Sequence, residues 1–96
     1  MREKDIEKYL VSQVKGLGGR AYKFVSPGNA GVPDRLVCLP GGEVAFVELK
    51  APGKKPTPLQ EAQIARLDRL GHTTFILDSR EAVDKFTRAC ERLLGR

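Results

Sequence analysis

Three charged side chains stand at the open end of two apolar segments that we predict to be paired strands. Asp34 begins the first segment, and Glu48 and Lys50 end the second. Because side chains alternate along a strand, Glu48 and Lys50 share one face, about 6.8 Å apart. Two neighbouring carboxylates raise one another's pKa, and a hard cation relieves that repulsion. Mg²⁺ binds through one or two carboxylates, keeps several waters and accepts phosphate oxygens. The pattern therefore predicts metal-assisted phosphodiester hydrolysis, in which Lys50 orients the attacking water or stabilises the developing charge.

A purely structural interpretation of the same residues is also open. Asp34 follows Pro33 and would suit an ordinary turn, while its charge could form a salt bridge at a sheet edge. A D…E-x-K pattern is short enough to arise by chance. The residues alone do not decide between the catalytic and the structural interpretation.

The turn between the two strands decides whether the carboxylates meet. Pro40-Gly41-Gly42 suits a three-residue hairpin loop, commonly a type I turn followed by a left-handed residue. Leu39 then pairs with Glu43, and Asp34 pairs with Glu48 on the same face. A two-residue loop would put the two carboxylates on opposite faces. The register is therefore a testable part of the prediction.

The elements that must position these residues follow from apolar periodicity and turn signals. We predict helices at about 3–17, 58–70 and 79–94, and strands at 20–25, 34–39, 44–50 and 72–77. A strand, a helix and a further strand suggest a parallel pairing beside the antiparallel hairpin. The predicted fold is α/β, a mixed sheet flanked by helices in the order α-β-β-β-α-β-α. Both faces of the third strand are apolar, so we expect helices to cover both sides.

The second and third helices have definite predicted faces. Thr57 suits an N-cap, with Pro58 at the first helical position and Gln60 completing a capping box. The second helix is predicted to carry Leu59, Gln63, Leu67 and Leu70 on one face, and the third is predicted to bury Val83, Phe86, Cys90, Leu93 and Leu94.

Composition narrows the class of protein. The 96 residues predict a single domain, 1–96, and the net charge of +5 favours an acidic partner, most commonly nucleic acid. One histidine, His72, is too few for a histidine triad or a Cys/His zinc cluster. Cys38 and Cys90 suit reduced core thiols, which indicates an intracellular protein. The charged N-terminus differs from a secretory signal, and no apolar run is long enough for a membrane span.

Two glutamates of the first helix are further candidates. Glu3 and Glu7 lie four residues apart, and Glu3 falls closer to the centre of the apolar stripe. A carboxylate on the core side is unusual. The alternative is an acid favoured by the helix dipole at the N-terminus.

The sequence resembles a known family. Pro33-Asp34 followed by Glu48-Leu49-Lys50 is similar to the signature of PD-(D/E)-x-K nucleases. A wider set of motifs resembles the VRR-NUC domain in the stand-alone form typical of phages and bacteria. These motifs are Glu3-x-x-Ile6, Gly31-Val32-Pro33-Asp34-Arg35-Leu36, Val47-Glu48-Leu49-Lys50-Ala51-Pro52-Gly53 and Leu59-Gln60. The match spans almost the whole chain in the family's order.

The resemblance implies a restriction-endonuclease-like fold and cleavage of DNA, often branched, with Mg²⁺ or Mn²⁺. It makes Asp34 and Glu48 metal ligands and Lys50 the catalytic lysine, and adds the backbone carbonyl of Leu49 as a ligand. Glu3 matches the family's glutamate in the first helix as a catalytic residue and metal ligand, with Glu7 as the fallback. Gln60 matches the family's glutamine, although a side chain held in a capping box is less free to reach a metal.

Basic residues near the predicted site are candidates for phosphate contacts, with plain solvated surface as the alternative for each. They are Lys4, Lys23, Arg35, Lys54 and Lys55.

The leading hypothesis is a metal-dependent endonuclease of the Holliday-junction-resolving type. Because a four-way junction needs two cuts, we also expect a homodimer. The setting would be the cytoplasm of a bacterium or a phage-infected host, without a membrane partner. The rivals are a catalytically silent DNA-binding module and a nuclease acting on RNA or DNA ends.

Overall fold

The secondary structure follows the predicted order. The computed structural model describes residues 1–95; the predicted domain end at Arg96 lies outside them. Its elements are α1 (Glu3–Gly16), β1 (Arg20–Lys23), β2 (Arg35–Cys38), β3 (Val44–Leu49), α2 (Pro58–Arg69), β4 (Thr74–Leu77) and α3 (Arg80–Leu93). Each strand is one or two residues shorter than predicted, since the terminal residues of the apolar segments lie outside the ladder.

The four strands form one mixed sheet in the order β1-β2-β3-β4. The first three strands are antiparallel neighbours, and β4 runs parallel to β3 after the α2 crossover. This confirms the predicted sheet. Strand β3, which carries Glu48, therefore lies between two neighbours and is hydrogen-bonded on both sides.

The register of the β2–β3 hairpin is the predicted one. Leu36 pairs with Phe46 and Cys38 pairs with Val44. The N–H of Leu39 donates to the Glu43 carbonyl at 2.8 Å. The three-residue loop thus sets the parity that brings Asp34 to the side of the sheet that carries Glu48.

The geometry of the loop differs from the type I turn that we predicted. Gly41 has φ 85° and ψ 3°, the values of the third residue of a type II turn, and Gly42 also has a positive φ of 88°. The Gly42 N–H closes the turn on the Leu39 carbonyl at 3.3 Å. Two successive glycines allow this backbone, which a side chain at position 41 would disfavour.

One face of the sheet carries the core. α1 contributes buried Ile6, Leu10 and Val14, as its periodicity predicted, and α3 contributes Val83, Phe86 and Cys90. The two helices are also linked directly, because the Tyr9 hydroxyl donates to the Asp84 carboxylate. Leu93 is 64% exposed, so the prediction that α3 buries it was wrong; it lies in the last helical turn, beyond the sheet contact.

The other face is covered only in part. α2 lies on this side, where the Thr74 hydroxyl donates to Asp68 at 2.6 Å. It begins at the predicted N-cap, Thr57, but none of its residues is buried, and Leu59 and Leu70 are 54% and 69% exposed. The cover that we expected from α2 is therefore incomplete, because the helix meets the edge of the sheet beside β4 rather than its centre.

Other predictions concern single side chains and the membrane. Cys38 and Cys90 are free thiols, half-buried and buried respectively. His72 is exposed, in the segment before β4, with its ring against Phe46. Across residues 1–95, none of the helices has the length and apolar character that a membrane crossing requires.

Candidate active site

Asp34, Glu48 and Lys50 come together at the open end of the hairpin. Glu48 ends the apolar run of β3 and is 1% exposed. The Lys50 Nζ lies 3.3 Å from Glu48 Oε2. Asp34 Oδ2 accepts the backbone N–H of Leu49 at 2.8 Å. Because that N–H follows Glu48 directly in the chain, the bond fixes the Asp34 carboxylate beside the buried glutamate.

The segment that delivers Asp34 is docked against α2. Gly31 has φ +89°, and a Cβ there would approach the backbone and side chain of Leu59 to 2.9 Å. The Gln63 side-chain amide donates to the Ala30 carbonyl at 3.2 Å. Pro33 is fully buried just before Asp34. A glycine at position 31 therefore allows the loop and helix to meet closely at the approach to the site.

Glu48 is held in an electrostatically unfavourable place. Burial, and then the neighbouring charge of Asp34, raises the pKa of Glu48 to about 7, while Lys50 opposes the rise. Lys50 is within ion-pair distance, yet within the described part of the chain neither Glu48 oxygen accepts a hydrogen bond. The two charges attract each other at this separation, while the carboxylate keeps capacity for another partner. Buried carboxylates normally fill that capacity.

A divalent cation suits these residues. The buried, under-satisfied oxygens of Glu48 and the adjacent Asp34 carboxylate supply a hard, oxygen-only donor set. The residues that could hold the ion are Asp34, Glu48 and, by its backbone carbonyl, Leu49. Within residues 1–95 no group of three or more His, Cys, Asp or Glu side chains has metal-binding proximity. The remaining ligands would be water and phosphate oxygens, as Mg²⁺ often keeps.

The two α1 glutamates stand apart from this pair. Glu3 is exposed in the first turn of α1, rather than on the core side as its place near the apolar stripe suggested. The stripe begins only at Ile6, and Glu3 extends past the sheet contact. Glu7 accepts a hydrogen bond from Arg35 Nε at 2.9 Å. The metal-binding roles of Glu3 and of its fallback Glu7 stay predictions.

Gln60 occupies the predicted capping box. Its Oε1 accepts the Thr57 N–H at 2.9 Å, and the Thr57 hydroxyl accepts the Gln60 N–H at 3.2 Å. The side chain is therefore engaged at the start of α2. A role at the metal would require it to leave this bond.

The predicted phosphate contacts divide into two kinds. Lys4, Lys23, Lys54 and Lys55 are exposed and free to meet a ligand. The side chain of Arg35 is only 17% exposed and also donates to the Ala21 carbonyl at 3.0 Å. Its bonds to Glu7 and Ala21 give it a structural role. The pairing of Arg35 with Glu7 was not predicted from the sequence. The predicted register nevertheless put Arg35 on the helix-covered face, where an arginine needs a partner.

A mixed sheet that brings an aspartate, a glutamate and a lysine together at a hairpin end is the arrangement of the PD-(D/E)-x-K class of nucleases. No family model matches the sequence. A solved structure described as a VRR_NUC domain superposes with a TM-score of 0.85 at 36% identity, covering 90% of this chain and 94% of that one. A protein named "Putative nuclease p44", from Acyrthosiphon pisum secondary endosymbiont phage 1, is 62% identical over 81 residues, 84% of this chain and 87% of its own. The chain belongs to the VRR-NUC family of nucleases.

Proposed function

We propose that the protein is a divalent-metal-dependent endonuclease that hydrolyses DNA phosphodiesters and selects branched DNA such as Holliday junctions. The observation that carries the proposal is the buried Glu48 carboxylate, which has no hydrogen-bond partner among residues 1–95 and lies beside Asp34 and Lys50. An apolar or amide side chain would serve a purely structural role there at lower cost. Two acids and a lysine placed together at the end of the hairpin suit chemistry on a phosphate.

The chain's own groups have distinct roles in this mechanism. Asp34 and Glu48, with the Leu49 carbonyl, would hold Mg²⁺ or Mn²⁺. When bound, the ion supplies Lewis-acid polarisation of the phosphoryl oxygen and helps to ionise a water. Lys50 favours the charged form of Glu48 and donates from Nζ to the attacking water or to the developing charge on phosphate. Burial of Glu48 limits competition from bulk water.

The DNA contacts are proposed from position and charge. Lys54 and Lys55 are exposed in the loop that directly follows β3, so they reach phosphates flanking the cut. Four further residues remain candidates for the site. The family resemblance suggests Glu3 and Gln60, and the charge pattern suggests Lys4 and Lys23. The relative from a phage makes an infected bacterial cell the proposed setting.

A homodimer is part of the same proposal. Symmetric cleavage of a four-way junction needs two active sites, and this chain carries one. The incompletely covered face of the sheet leaves Tyr22, Val44 and Ile76 about half exposed. An apolar surface of this kind suits contact with a second copy.

Cleavage of a substrate panel tests the proposal. The protein is incubated with Mg²⁺ or Mn²⁺ and a four-way junction, a flap, a linear duplex, a DNA with free ends and an RNA. We expect metal-dependent cuts in the junction. A protein that binds DNA but cuts none of these substrates would be a silent binding module, and cutting confined to RNA or to ends would support the corresponding alternative.

A further inference from the structure

A basic groove runs along α1 on the helix-covered side of the sheet. Two adjoining cavities of about 530 and 550 Å³ form it, and they share Val11, Lys15 and Arg35 in their walls. We call it the α1 groove and define it by its charged lining side chains, Lys4, Glu7, Lys8, Lys15 and Arg35. It extends from the first turn of α1 to the start of β1.

The α1 groove carries a surplus of positive charge. Its four basic side chains and one acid give it a net charge of +3, more than half of the chain's net charge of +5. Glu7 pairs with Arg35 in the groove wall, whereas none of the ion pairs found among residues 1–95 involves Lys4, Lys8 or Lys15. Unpaired cations along a groove attract a polyanion.

The spacing of these cations suits a DNA backbone. Lys4 and Lys15 are eleven residues apart, which is about 16.5 Å along a helix. Phosphates of one B-DNA strand advance about 3.4 Å each along the duplex axis, so the groove spans roughly five base pairs. Lys4 and Lys8 are also like charges at i, i+4, an arrangement that weakens an isolated helix slightly. A bound phosphate backbone would remove that repulsion.

The sheet separates the α1 groove from the catalytic carboxylates. Arg35, in the groove wall, pairs with Val47, whose side chain is fully buried under the helices. Asp34 and Glu48 are each one residue away along their strands and so lie on the opposite face. Phosphates bound beside Arg35 and at Glu48 would therefore lie on opposite faces of the sheet.

We propose that the α1 groove binds the phosphate backbone of a second duplex arm of a branched DNA, while another arm is cut at Glu48. This inference rests on the proposed function and gives it a physical basis for selecting branched DNA. The second arm adds phosphate contacts that a linear duplex could make only by bending sharply around the sheet, and that bending costs elastic energy.

Binding measured without cleavage tests this groove. The double substitution Lys8→Gln, Lys15→Gln removes two groove charges, and Lys85→Gln, Arg88→Gln on exposed positions of α3 is the charge-matched control. Dissociation constants for a four-way junction and for a linear duplex of one arm's sequence are measured by fluorescence anisotropy in EDTA over a range of salt concentrations. Thermal melts of both variants verify folding.

We expect the groove variant to lose junction affinity, with the slope of log K against log salt reduced by about 2, and to lose less affinity for the linear duplex, which the catalytic face can still bind alone. The control should match the wild type on both DNAs. Equal loss on junction and duplex would overturn the proposal, because one duplex would then occupy groove and site together, and an unchanged junction affinity would overturn it as well. Failure of the wild type to cut any DNA would instead refute the proposed nuclease function, whatever the binding results.

Discussion

The Asp34 carboxylate accepts the backbone N–H of Leu49, 2.8 Å away, at the residue that separates Glu48 from Lys50. One side chain thereby both satisfies a buried backbone donor and holds its negative charge beside Glu48. Charge-assisted bonds of this type are stronger than neutral ones. Asp34 therefore has a structural role as well as its proposed role as a metal ligand, and substitutions can separate the two.

Asp34→Asn and Asp34→Ala should have different effects on stability. The asparagine oxygen still accepts the Leu49 N–H while the repulsion of Glu48 disappears, so the metal-free protein should be as stable as the wild type or more so. Alanine leaves that buried N–H unpaired and should cost about 1–3 kcal/mol. Thermal and urea unfolding, with and without Mn²⁺, measure both.

Stabilisation by added Mn²⁺ should vanish in both Asp34 variants, because an ion that binds only the folded protein stabilises it by mass action. A large loss of metal-free stability in Asp34→Asn would instead assign Asp34 to a structural salt bridge.

Lys50→Ala should abolish detectable cutting while DNA binding is kept. Lys50 is the only cation within ion-pair distance of Glu48 among residues 1–95. Loss of one donor to a developing charge typically costs 10²–10³-fold in kcat. Single-turnover cleavage of a junction by Lys50→Ala is compared with that by Lys85→Ala, an exposed lysine on α3. Equal rates for the two variants would contradict the proposed role of Lys50.

The stability of the metal-free protein should fall as pH rises from about 4.5 to about 7. The folded-state pKa of Glu48 is raised to about 7 from its ordinary 4.5, so the folded protein holds this proton more tightly than the unfolded chain does. The stabilisation is complete below about pH 4.5 and is lost as pH rises to about 7. A shift of this size corresponds to about 3 kcal/mol.

The control for this pH effect is Glu48→Gln, which does not titrate. Urea unfolding in EDTA at several pH values gives the free energy of unfolding of each protein. The free energy of unfolding of the wild type, relative to that of Glu48→Gln, should decrease as pH rises from 4.5 to 7. A difference independent of pH would show that Glu48 has an ordinary pKa in the folded protein.

Gly31→Ala should destabilise the loop that leads to Asp34, and Gly28→Ala is its matched control. Both glycines have a positive φ, +89° and +80°, so both substitutions carry similar backbone strain. Only at Gly31 would the new Cβ approach Leu59 to 2.9 Å, whereas Gly28 has open space. We expect Gly31→Ala to lower the melting temperature and the cleavage rate well beyond Gly28→Ala. Similar losses would mean that the contact with α2 is unimportant.

The two roles considered for Gln60 are separable by comparison with Thr57. Thr57→Ala and Gln60→Ala each break the capping box and should each cost about 1 kcal/mol. Thr57→Ala leaves the Gln60 side chain in place for chemistry. If Gln60 acts at the metal, Gln60→Ala should reduce single-turnover cleavage much more than Thr57→Ala does. Equal effects would leave Gln60 with the capping role alone.

Local signals in the sequence were sufficient for the hairpin and its site. Pro40-Gly41-Gly42 gave the loop length, and loop length with side-chain alternation gave the positions of Asp34 and Glu48. The same signals could not give the turn type, since two adjacent glycines permit several backbones.

Features that depend on how elements dock were harder to predict. The apolar residues of α2 indicated a buried face, but periodicity does not tell how far a helix lies over a sheet. The pairing of Glu7 with Arg35 and the bond from Leu49 to Asp34 join residues distant in sequence, in geometries that only the packed structure defines.

The central place of β3 has a consequence for amide hydrogen exchange. Its backbone is bonded to β2 on one side and β4 on the other, and the Lys50 N–H continues that protection by donating to the Leu77 carbonyl at 3.0 Å. Such amides exchange mainly through global unfolding. The Leu49 amide is different in kind, because its acceptor is the Asp34 carboxylate. Its exchange rate and NMR chemical shift would report directly on the charge of Asp34, inside a strand that otherwise opens only when the whole domain does.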